Sequence, residues 1–341
     1  MSTNSGWRNT NPGRTGRVRG THPKTQPVES AGPRRKMELI ASVSRSGGLE
    51  KDGDALKDFE VQVEYRDFIQ GKLDDLWKKY PRHNAESETE SRQRIDAQEN
   101  VLILFRKLRE GIISSKRIGT FTLEVYETSL YLAILFNSPR HIGPVVPALM
   151  SYFNLPSTEP HNHCARTVVI SLLYRLVAAY PSQREFHSNL GSIPKAFFPD
   201  DSGARLWITS LARCIRVRNY VQINKLTELS ALPADDDVLP TEGNRNSDLS
   251  RKTLYHLVDM LRSKTREMAW SIMRTAYREF SCQMEPKLDT RGWLEHSLGL
   301  LSDIPGGYSI NLDDWLDREC TLGHVRRKEG IEGRWIVCKP H

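Results

Sequence analysis

Apolar residues recur with helical spacing along most of the chain from Phe59 onward. The first stripe consists of Val61, Tyr65, Ile69, Leu73, Leu76, Trp77 and Tyr80. After Pro81, a polar, acidic link over residues 82–92 leads to a second stripe, formed by Val101, Leu104, Phe105, Leu108 and Ile112. Because such spacing gives a helix one apolar face, the two stripes predict an antiparallel helix pair, the second helix ending at Gly111 or soon after.

The segment 121–136 (FTLEVYETSLYLAILF) is apolar nearly all round, which predicts a helix buried between its neighbours at the centre of the fold. Further helical stripes cover residues 144–153, 164–180, 204–218 and 219–229. After a loop over residues 230–248, two more helices are predicted, the second ending near Phe280. Helical hairpins stacked without a strict repeat predict a superhelical array that binds other proteins.

Residues 282–341 follow a different pattern. They predict a helix near 290–300, a turn at Pro305-Gly306-Gly307, a second helix near 312–322, and two strands at 324–328 and 334–339 around the loop 329–333. Two helices followed by a hairpin are typical of a winged helix. The predicted fold is therefore mainly α, with stacked helical hairpins over residues 58–281 and a winged-helix subdomain with a small β-hairpin over residues 282–341.

Charge is distributed unevenly along the chain. Residues 1–48 hold nine of the 49 Lys and Arg but two of the 42 Asp and Glu, so the rest of the chain has 40 of each sign. Residues 1–57 are rich in Gly, Pro, Ser, Thr and Arg, which predicts a disordered basic tail. Its Pro33-Arg34-Arg35-Lys36 cluster is either an import signal or, as such runs more often are, a solvated patch. A nucleic-acid site on the folded part must be local.

Four short motifs stand out: Phe121-x-x-x-Val125-Tyr126-Glu127, the helix around Arg175 over residues 171–179, Arg218-Asn219-Tyr220 at a helix junction, and residues 268–277 (MAWSIMRTAY) before the predicted winged helix. Together they resemble the GANP family, the germinal-centre-associated nuclear protein and suppressor-of-actin type within the PCI proteins. The resemblance covers roughly residues 58–341. It implies a PCI superhelix of hairpins like those of tetratricopeptide repeats, ending in a winged helix.

The resemblance also implies a function. It points to a non-enzymatic scaffold in nuclear mRNA export or transcription-coupled mRNP processing, located in the nucleus or in both nucleus and cytoplasm. The implied partners are other PCI proteins or small acidic subunits, together with weak, sequence-nonspecific contact to RNA or DNA through the winged helix. The alternative keeps the PCI fold but makes the chain a subunit of the proteasome lid, the signalosome or a translation-initiation scaffold, with no nucleic-acid role.

Positive charge collects at two places that could contact phosphates. The hairpin carries Arg326, Arg327, Lys328, Arg334 and Lys339, and the helix over residues 204–218 carries Arg205, Arg213, Arg216 and Arg218. Phosphate contact by the hairpin and packing against another subunit are equally supported by the pattern. On the helix, a solvated face with ion pairs is the favoured interpretation and a phosphate patch, formed by Arg213, Arg216 and Arg218, is the alternative. The helix at 312–322 has four acidic residues and Arg318 alone, which predicts that it does not read bases.

Other chemistries have little support in the pattern. His161-x-His163-Cys164 lacks the second ligand pair that zinc prefers, and the acidic run 235–237 lacks the glycine and glutamate of a calcium loop. No phosphate loop or nucleophile motif is present, so neither an enzyme nor a cofactor is predicted. The five cysteines are odd in number and widely spread, which predicts reduced thiols in a cytosolic or nuclear protein. No apolar run is long enough to predict a membrane span.

Overall fold

The structure is a computed structural model that describes residues 37–43, 51–81, 87–153, 164–233, 245–283 and 289–339. Within these residues, the chain forms eleven α-helices that pack together and one small sheet near the C-terminus. The helices are α1 (Phe59–Lys79), α2 (Glu88–Ser115), α3 (Thr120–Leu135), α4 (Pro139–Phe153), α5 (Cys164–Ala178), α6 (Arg184–Ser192), α7 (Gly203–Arg216), α8 (Tyr220–Leu226), α9 (Arg245–Ala276), α10 (Thr290–Ser297) and α11 (Leu312–Thr321). The strands are β1 (Glu279–Ser281), β2 (Val325–Arg327) and β3 (Arg334–Val337). The mainly helical fold is confirmed.

The first helix pair forms as predicted, with one correction at the link. In α1 the predicted stripe is buried, except that Trp77 is half-exposed. The helix α2 begins at Glu88, inside the segment predicted to be a link, because Ser87 and Glu90 form a reciprocal capping box. It also continues to Ser115, past Gly111. Residues 82–86 of the link lie outside the described part of the chain.

The central position predicted for residues 121–136 is confirmed. Twelve residues of α3 are buried, and the helix contacts α2, α4 and α9. Its polar side chains are paired inside the protein: the Thr167 hydroxyl of α5 donates to the Glu127 carboxylate at 2.5 Å, and the Tyr131 hydroxyl lies 2.6 Å from the Thr167 hydroxyl. Burial raises the pKa of Tyr131 well above its usual value. Paired polar groups allow this helix to be surrounded on all sides.

Several helix boundaries differ from the prediction. The helix α4 begins at Pro139, five residues before the predicted start, and α6 was not predicted. The two helices predicted between residues 254 and 280 are one continuous helix, α9. Phe280 belongs to strand β1 rather than to a helix. The loop predicted at 230–248 is shorter because α9 starts at Arg245, and residues 234–244 of that loop lie outside the described chain.

Packed structure begins before the predicted end of the tail at residue 57. Leu56 is fully buried and Ile40 is 5% exposed. The side-chain amide of Gln62 donates to the Leu56 carbonyl at 2.8 Å, and Lys107 Nζ donates to the Ile40 carbonyl at 2.9 Å. These residues therefore cover α1 and α2, and the predicted boundary is too late. Residues 1–36 of the predicted tail lie outside the described part of the chain.

The contact between Leu56 and α2 predicts an unusual response to alanine. A Cβ on Gly111 would lie 2.5 Å from the Leu56 carbonyl oxygen and 2.8 Å from the Leu56 Cβ, so Gly111→Ala must displace backbone. We expect a loss of about 1–3 kcal/mol in the free energy of unfolding, measured by urea denaturation. Gly71 is the control, because a Cβ there meets nothing within 4 Å and Gly71→Ala should stabilise its helix by roughly 0.5–1 kcal/mol. Stabilisation by both changes would contradict the packing of residues 51–57.

The C-terminal subdomain contains one strand more than predicted. Its antiparallel sheet has the order β1-β3-β2, with Phe280 opposite Trp335 on one side of β3 and Val325 opposite Val337 on the other. Its apolar core extends back into α9 through Ala269 and Trp270. The predicted boundary between residues 281 and 282 therefore separates β1 from the sheet to which it belongs.

Helix α8 connects the helical body to the C-terminal subdomain. The Trp207 indole of α7 donates to the Leu226 carbonyl at 2.8 Å, which fixes α8 against α7. On its other side, the Asn224 side chain donates to the His296 carbonyl of α10 at 2.8 Å. The end of α7 is thereby held next to both parts of the fold.

Two further features concern location. Among the described residues, no helix is both long and apolar enough to cross a membrane. All five cysteines are free thiols, and Cys164, Cys214 and Cys282 are buried. The prediction of unpaired thiols is confirmed.

Candidate nucleic-acid interface

Three of the five hairpin cations are paired with carboxylates of the same subdomain. Arg327 Nη2 lies 2.6 Å from Asp317 Oδ1, and the Arg327 guanidinium also lies 5.2 Å from the centre of the Trp335 ring. Glu279 of β1 forms ion pairs with the other two cations. Its carboxylate lies 3.0 Å from Lys328 Nζ and 3.4 Å from Arg334 Nη1. Because these charges already have partners, phosphate binding by them would compete with existing ion pairs.

Arg326 and Lys339 differ from the other hairpin cations. Both are exposed, and neither forms an ion pair with a carboxylate in the described residues. Arg326 lies opposite Ile336 in the β2–β3 ladder, one position from Arg327, so the two arginines point to opposite faces of the sheet. The five predicted cations therefore do not form one continuous positive surface.

The acidic residues of α11 are also largely paired. Asp313 accepts two hydrogen bonds from Arg291, at 2.9 and 2.8 Å, and these lower the pKa of its carboxyl group. Glu319 is buried, where it accepts from the Trp270 indole at 2.7 Å and lies 2.6 Å from His324 Nδ1. The expectation that this helix does not read bases stays a prediction.

The arginines at the end of α7 have a different environment. Arg213 and Arg216 are exposed on the side of α7 opposite its buried face, and no described carboxylate forms an ion pair with either of them or with Arg218. Arg205 is separate from this group, because it pairs with Asp200 at 3.0 Å and donates to the Phe198 carbonyl at 2.8 Å. The exposure of Arg213, Arg216 and Arg218 agrees with the solvated face favoured from the sequence, but the ion pairs expected with it are not formed within the described residues, and phosphate contact stays a prediction.

The prediction that these arginines share one helix is wrong for Arg218. The helix α7 ends at Arg216, and Arg218 follows it with a φ of +55°. Its N–H donates to the Ile215 carbonyl at 3.2 Å and that of Asn219 donates to the Cys214 carbonyl at 2.9 Å, which is the Schellman arrangement. Glycine is usual at this left-handed position, because a side chain there costs roughly 1–2 kcal/mol.

Arg216 and Arg218 line a pocket that the sequence did not predict, which we call the junction pocket. It has a volume of about 380 Å³, and its walls come from the start of α6, the end of α7, α8 and α9. Its lining residues are Tyr180, Pro181, Gln183, Arg184, His187, Ile215, Arg216, Arg218, Tyr220 and Met268. Three arginines and two tyrosines thus share one pocket that has no carboxylate in its lining.

The two tyrosines and Arg218 are close enough to influence one another. Burial raises the pKa of Tyr180, hydrogen bonding with Tyr220 acts in the same direction, and the positive charge of Arg218 opposes both. Tyr180 and Tyr220 are each partly exposed, and both line the pocket. Tyr220 also packs against the apolar core of the C-terminal subdomain. The junction pocket therefore lies where the two parts of the fold meet.

Sequence analysis did not single out Arg184, His187 or Tyr180. Arg184 and His187 belong to α6, which was not predicted, whereas Tyr180 ends the predicted stripe 164–180 and nothing in that stripe indicates a contact with the junction. Helix α6 buries only Phe186, so it carries no apolar stripe. The one available signal was Arg218-Asn219-Tyr220, which the family resemblance singled out as a helix junction without assigning it a contact. Proximity of this junction to α6 depends on the tertiary fold.

The two motifs considered as metal sites, and given little support by the sequence, are not tested by the structure. His161, His163 and the acidic run 235–237 lie outside the described residues, while Cys164 is buried in α5. Within the described ranges, no group of three or more His, Cys, Asp or Glu side chains is placed to hold a metal ion.

Comparison with known proteins adds no identification. Neither a scan against models of known protein families nor a search of curated proteins found a match for this chain. The resemblance to the GANP family stays a prediction, and the functional argument rests on the fold and the site.

Proposed function

We propose that the protein is a non-enzymatic scaffold subunit of nuclear mRNA export or transcription-coupled mRNP processing. In this proposal the helical body binds protein partners, and the winged helix of the C-terminal subdomain makes weak contact with nucleic acid. The observation that carries it is the arrangement of the C-terminal subdomain. Helices α10 and α11 precede the β2–β3 hairpin, as a winged helix requires, and α9 joins them to the helical body.

The packing of the helical body supports the scaffold role. Successive helices pack as neighbours, α1 with α2 and α3 with α4, and α9 then packs along both α3 and α5. Stacked helical hairpins of this kind present extended faces to partners. Exposed apolar side chains are available to partners, among them Ile113 near the end of α2 and Ile118 in the loop after it, at 65% and 60% exposure. This part of the proposal predicts partners of the PCI type or small acidic subunits.

One observation favours the alternative. The ion pairs of Arg327, Lys328 and Arg334 within the subdomain leave the hairpin less free to bind phosphates. A hairpin partly neutralised in this way suits contact with another subunit, as expected for a PCI subunit of the proteasome lid, the signalosome or a translation-initiation scaffold. The two functions share a fold and differ in their partners.

Affinity purification of the tagged, full-length chain from nuclease-treated extract separates these functions. Nuclease treatment removes partners bridged by RNA, and a tagged, unrelated helical protein is the control. We expect subunits of the mRNA export or mRNP-processing machinery at amounts near those of the bait, identified by mass spectrometry. Recovery of proteasome-lid, signalosome or initiation-factor subunits would establish the alternative. Recovery of no protein above the control would contradict the scaffold role itself.

A further inference from the structure

We propose that the junction pocket binds one nucleotide of a single-stranded nucleic acid. Arg184, Arg216 and Arg218 hold the phosphate, and the base lies against the rings of Tyr180 and Tyr220. This site deepens the nucleic-acid role in the proposed function and rests on it, but it moves the main contact from the hairpin to the junction between α6, α7 and α8.

The first argument is charge. Arg184, Arg216 and Arg218 line one pocket, and within the described residues no carboxylate pairs with any of them. Other surface arginines have carboxylate partners, as Arg291 has Asp313 and Arg327 has Asp317, whereas Arg213 and Arg326 are exposed without one in the described part of the chain. What distinguishes Arg184, Arg216 and Arg218 is that all three line one pocket, where a phosphate would give them a shared anionic partner. Guanidinium groups also match the geometry of phosphate oxygens with paired N–H donors.

The second argument is the shape and the aromatic content of the pocket. A volume of about 380 Å³ is near the lower end of the range for small-ligand sites and suits one nucleotide rather than a duplex. Each tyrosine ring offers a face on which a base can stack, whatever the base. Since a paired base is already stacked within its duplex, a base that enters this pocket must come from a single strand. The pocket therefore favours single-stranded over double-stranded nucleic acid.

The third argument is the backbone at Arg218. Its φ of +55° lies in the left-handed region, where glycine is the usual residue. The Schellman hydrogen bonds at the end of α7 would form equally well with glycine, so the arginine side chain adds nothing to the turn. Side chains kept in such conformations can serve a site, since the fold has to compensate for the strain. Lys116 has the same backbone conformation, and what distinguishes Arg218 from it is that Arg218 lines the junction pocket.

An acidic peptide is the competing ligand for a cationic pocket. Its carboxylates would satisfy the three arginines, but they would leave the two tyrosine faces without a specific partner. A nucleotide uses both features, since its phosphate and base are joined at the distance of one sugar. The nucleotide is therefore favoured, and the peptide is included as an outcome of the test.

Lys116 provides a matched control for Arg218. Both are exposed cations in the left-handed conformation at a helix C-terminus, Lys116 with a φ of +53° after α2 and Arg218 with a φ of +55° after α7. Replacement by glycine removes one positive charge and relieves the backbone at either position. Lys116 does not line the junction pocket. Lys116→Gly and Arg218→Gly thus each remove one positive charge from a left-handed position, the first outside the junction pocket and the second inside it.

The experiment measures binding of the full-length protein to a fluorescein-labelled oligouridylate of about twelve nucleotides by anisotropy, across a salt series. We expect Arg218→Gly to weaken binding about tenfold, the effect of one charge-assisted contact, and to lower the salt slope by about 0.7. Lys116→Gly should stay within twofold of the unaltered protein. Both variants should keep or raise the thermal midpoint. Tyr220→Leu, which keeps an apolar side chain against the C-terminal core, should weaken binding at least fivefold.

Each other outcome overturns a stated part of the proposal. If Arg326→Gln weakens binding and Arg218→Gly does not, the site is the hairpin, and the nucleic-acid role in the proposed function survives without the pocket. If the intact protein does not bind the strand at low salt, both the pocket and that role fail. Displacement of the strand by polyglutamate as readily as by unlabelled oligouridylate would overturn the nucleotide in favour of an acidic peptide. Equal affinity for a duplex of the same length would overturn the base contact.

Discussion

Leu130→Asp is expected to leave the protein unfolded. Leu130 has no exposed surface, and its helix α3 is packed against α2, α4 and α9. An aspartate at this position would bury a charge without a partner, at a cost of several kcal/mol. That cost is comparable to the whole free energy of unfolding of an ordinary domain, about 5–15 kcal/mol. Circular dichroism should show loss of the cooperative thermal transition.

The control for this change is Leu206→Asp. Leu206 lies in the first turn of α7 with 55% of its surface exposed, so the same substitution there buries no charge and places a carboxylate near a helix N-terminus. We expect its thermal midpoint to stay within a few degrees of that of the unaltered protein. A soluble Leu130→Asp variant with an unchanged midpoint would show that α3 is not central.

Trp270→Ala is expected to have the second largest effect, with local consequences. Trp270 lies in α9 at 4% exposure, and its ring centre is 4.6 Å from that of Trp315. Removal of a buried tryptophan costs about 3–5 kcal/mol. It also removes the donor to the buried Glu319 carboxylate, which retains only His324. The C-terminal subdomain should therefore open before the helical body does.

Hydrogen exchange locates this opening. In Trp270→Ala, amides of α11 and β3 should exchange much faster than in the unaltered protein, while those of α3 keep their protection. Trp293→Ala is the control, since Trp293 is 39% exposed and its loss leaves a smaller cavity. Equal acceleration in α3 and β3 would contradict the separate stability of the subdomain.

The elements predicted correctly from the sequence are those whose signal is local. The stripe of α1 and the all-round apolar character of α3 are both contained in one run of residues, and both helices form where predicted. The sequence predicts two helices where the structure has the single helix α9, because polar residues interrupt the apolar stripe near Thr265. In the structure, the Thr265 hydroxyl donates to the Leu261 carbonyl, and Arg262 donates to Thr227, so these polar groups are buried without a break.

The features missed from the sequence depend on distant partners. The three residues of β1 form a strand only because β3, more than fifty residues later, pairs with them. The ion pairs of Glu279 with Lys328 and Arg334 depend on the same pairing, so no local pattern of residues indicates that the hairpin is partly neutralised. Leu56 is a single apolar residue in a polar segment, and its burial follows from Gly111 on α2.

The junction pocket was missed for the same reason. Arg216 and Arg218 are among the candidate residues identified from the sequence. Tyr180 and Arg184 come close to them only through the packing of α5, α6 and α7. Periodicity reports which residues face a core, and it does not report which exposed residues meet across helices. A site built from exposed side chains of four helices is therefore visible only in the tertiary structure.

We infer that single-stranded nucleic acid binds where the helical body meets the C-terminal subdomain. Photocrosslinking of the full-length protein to an oligonucleotide that contains 4-thiouridine, followed by mass spectrometry of the peptides, is the decisive measurement. We expect crosslinks to peptides that contain Tyr180 or Tyr220, reduced by unlabelled strand and by Arg218→Gly. Crosslinks confined to residues 325–339, or none above those of a protein that does not bind RNA, would contradict it.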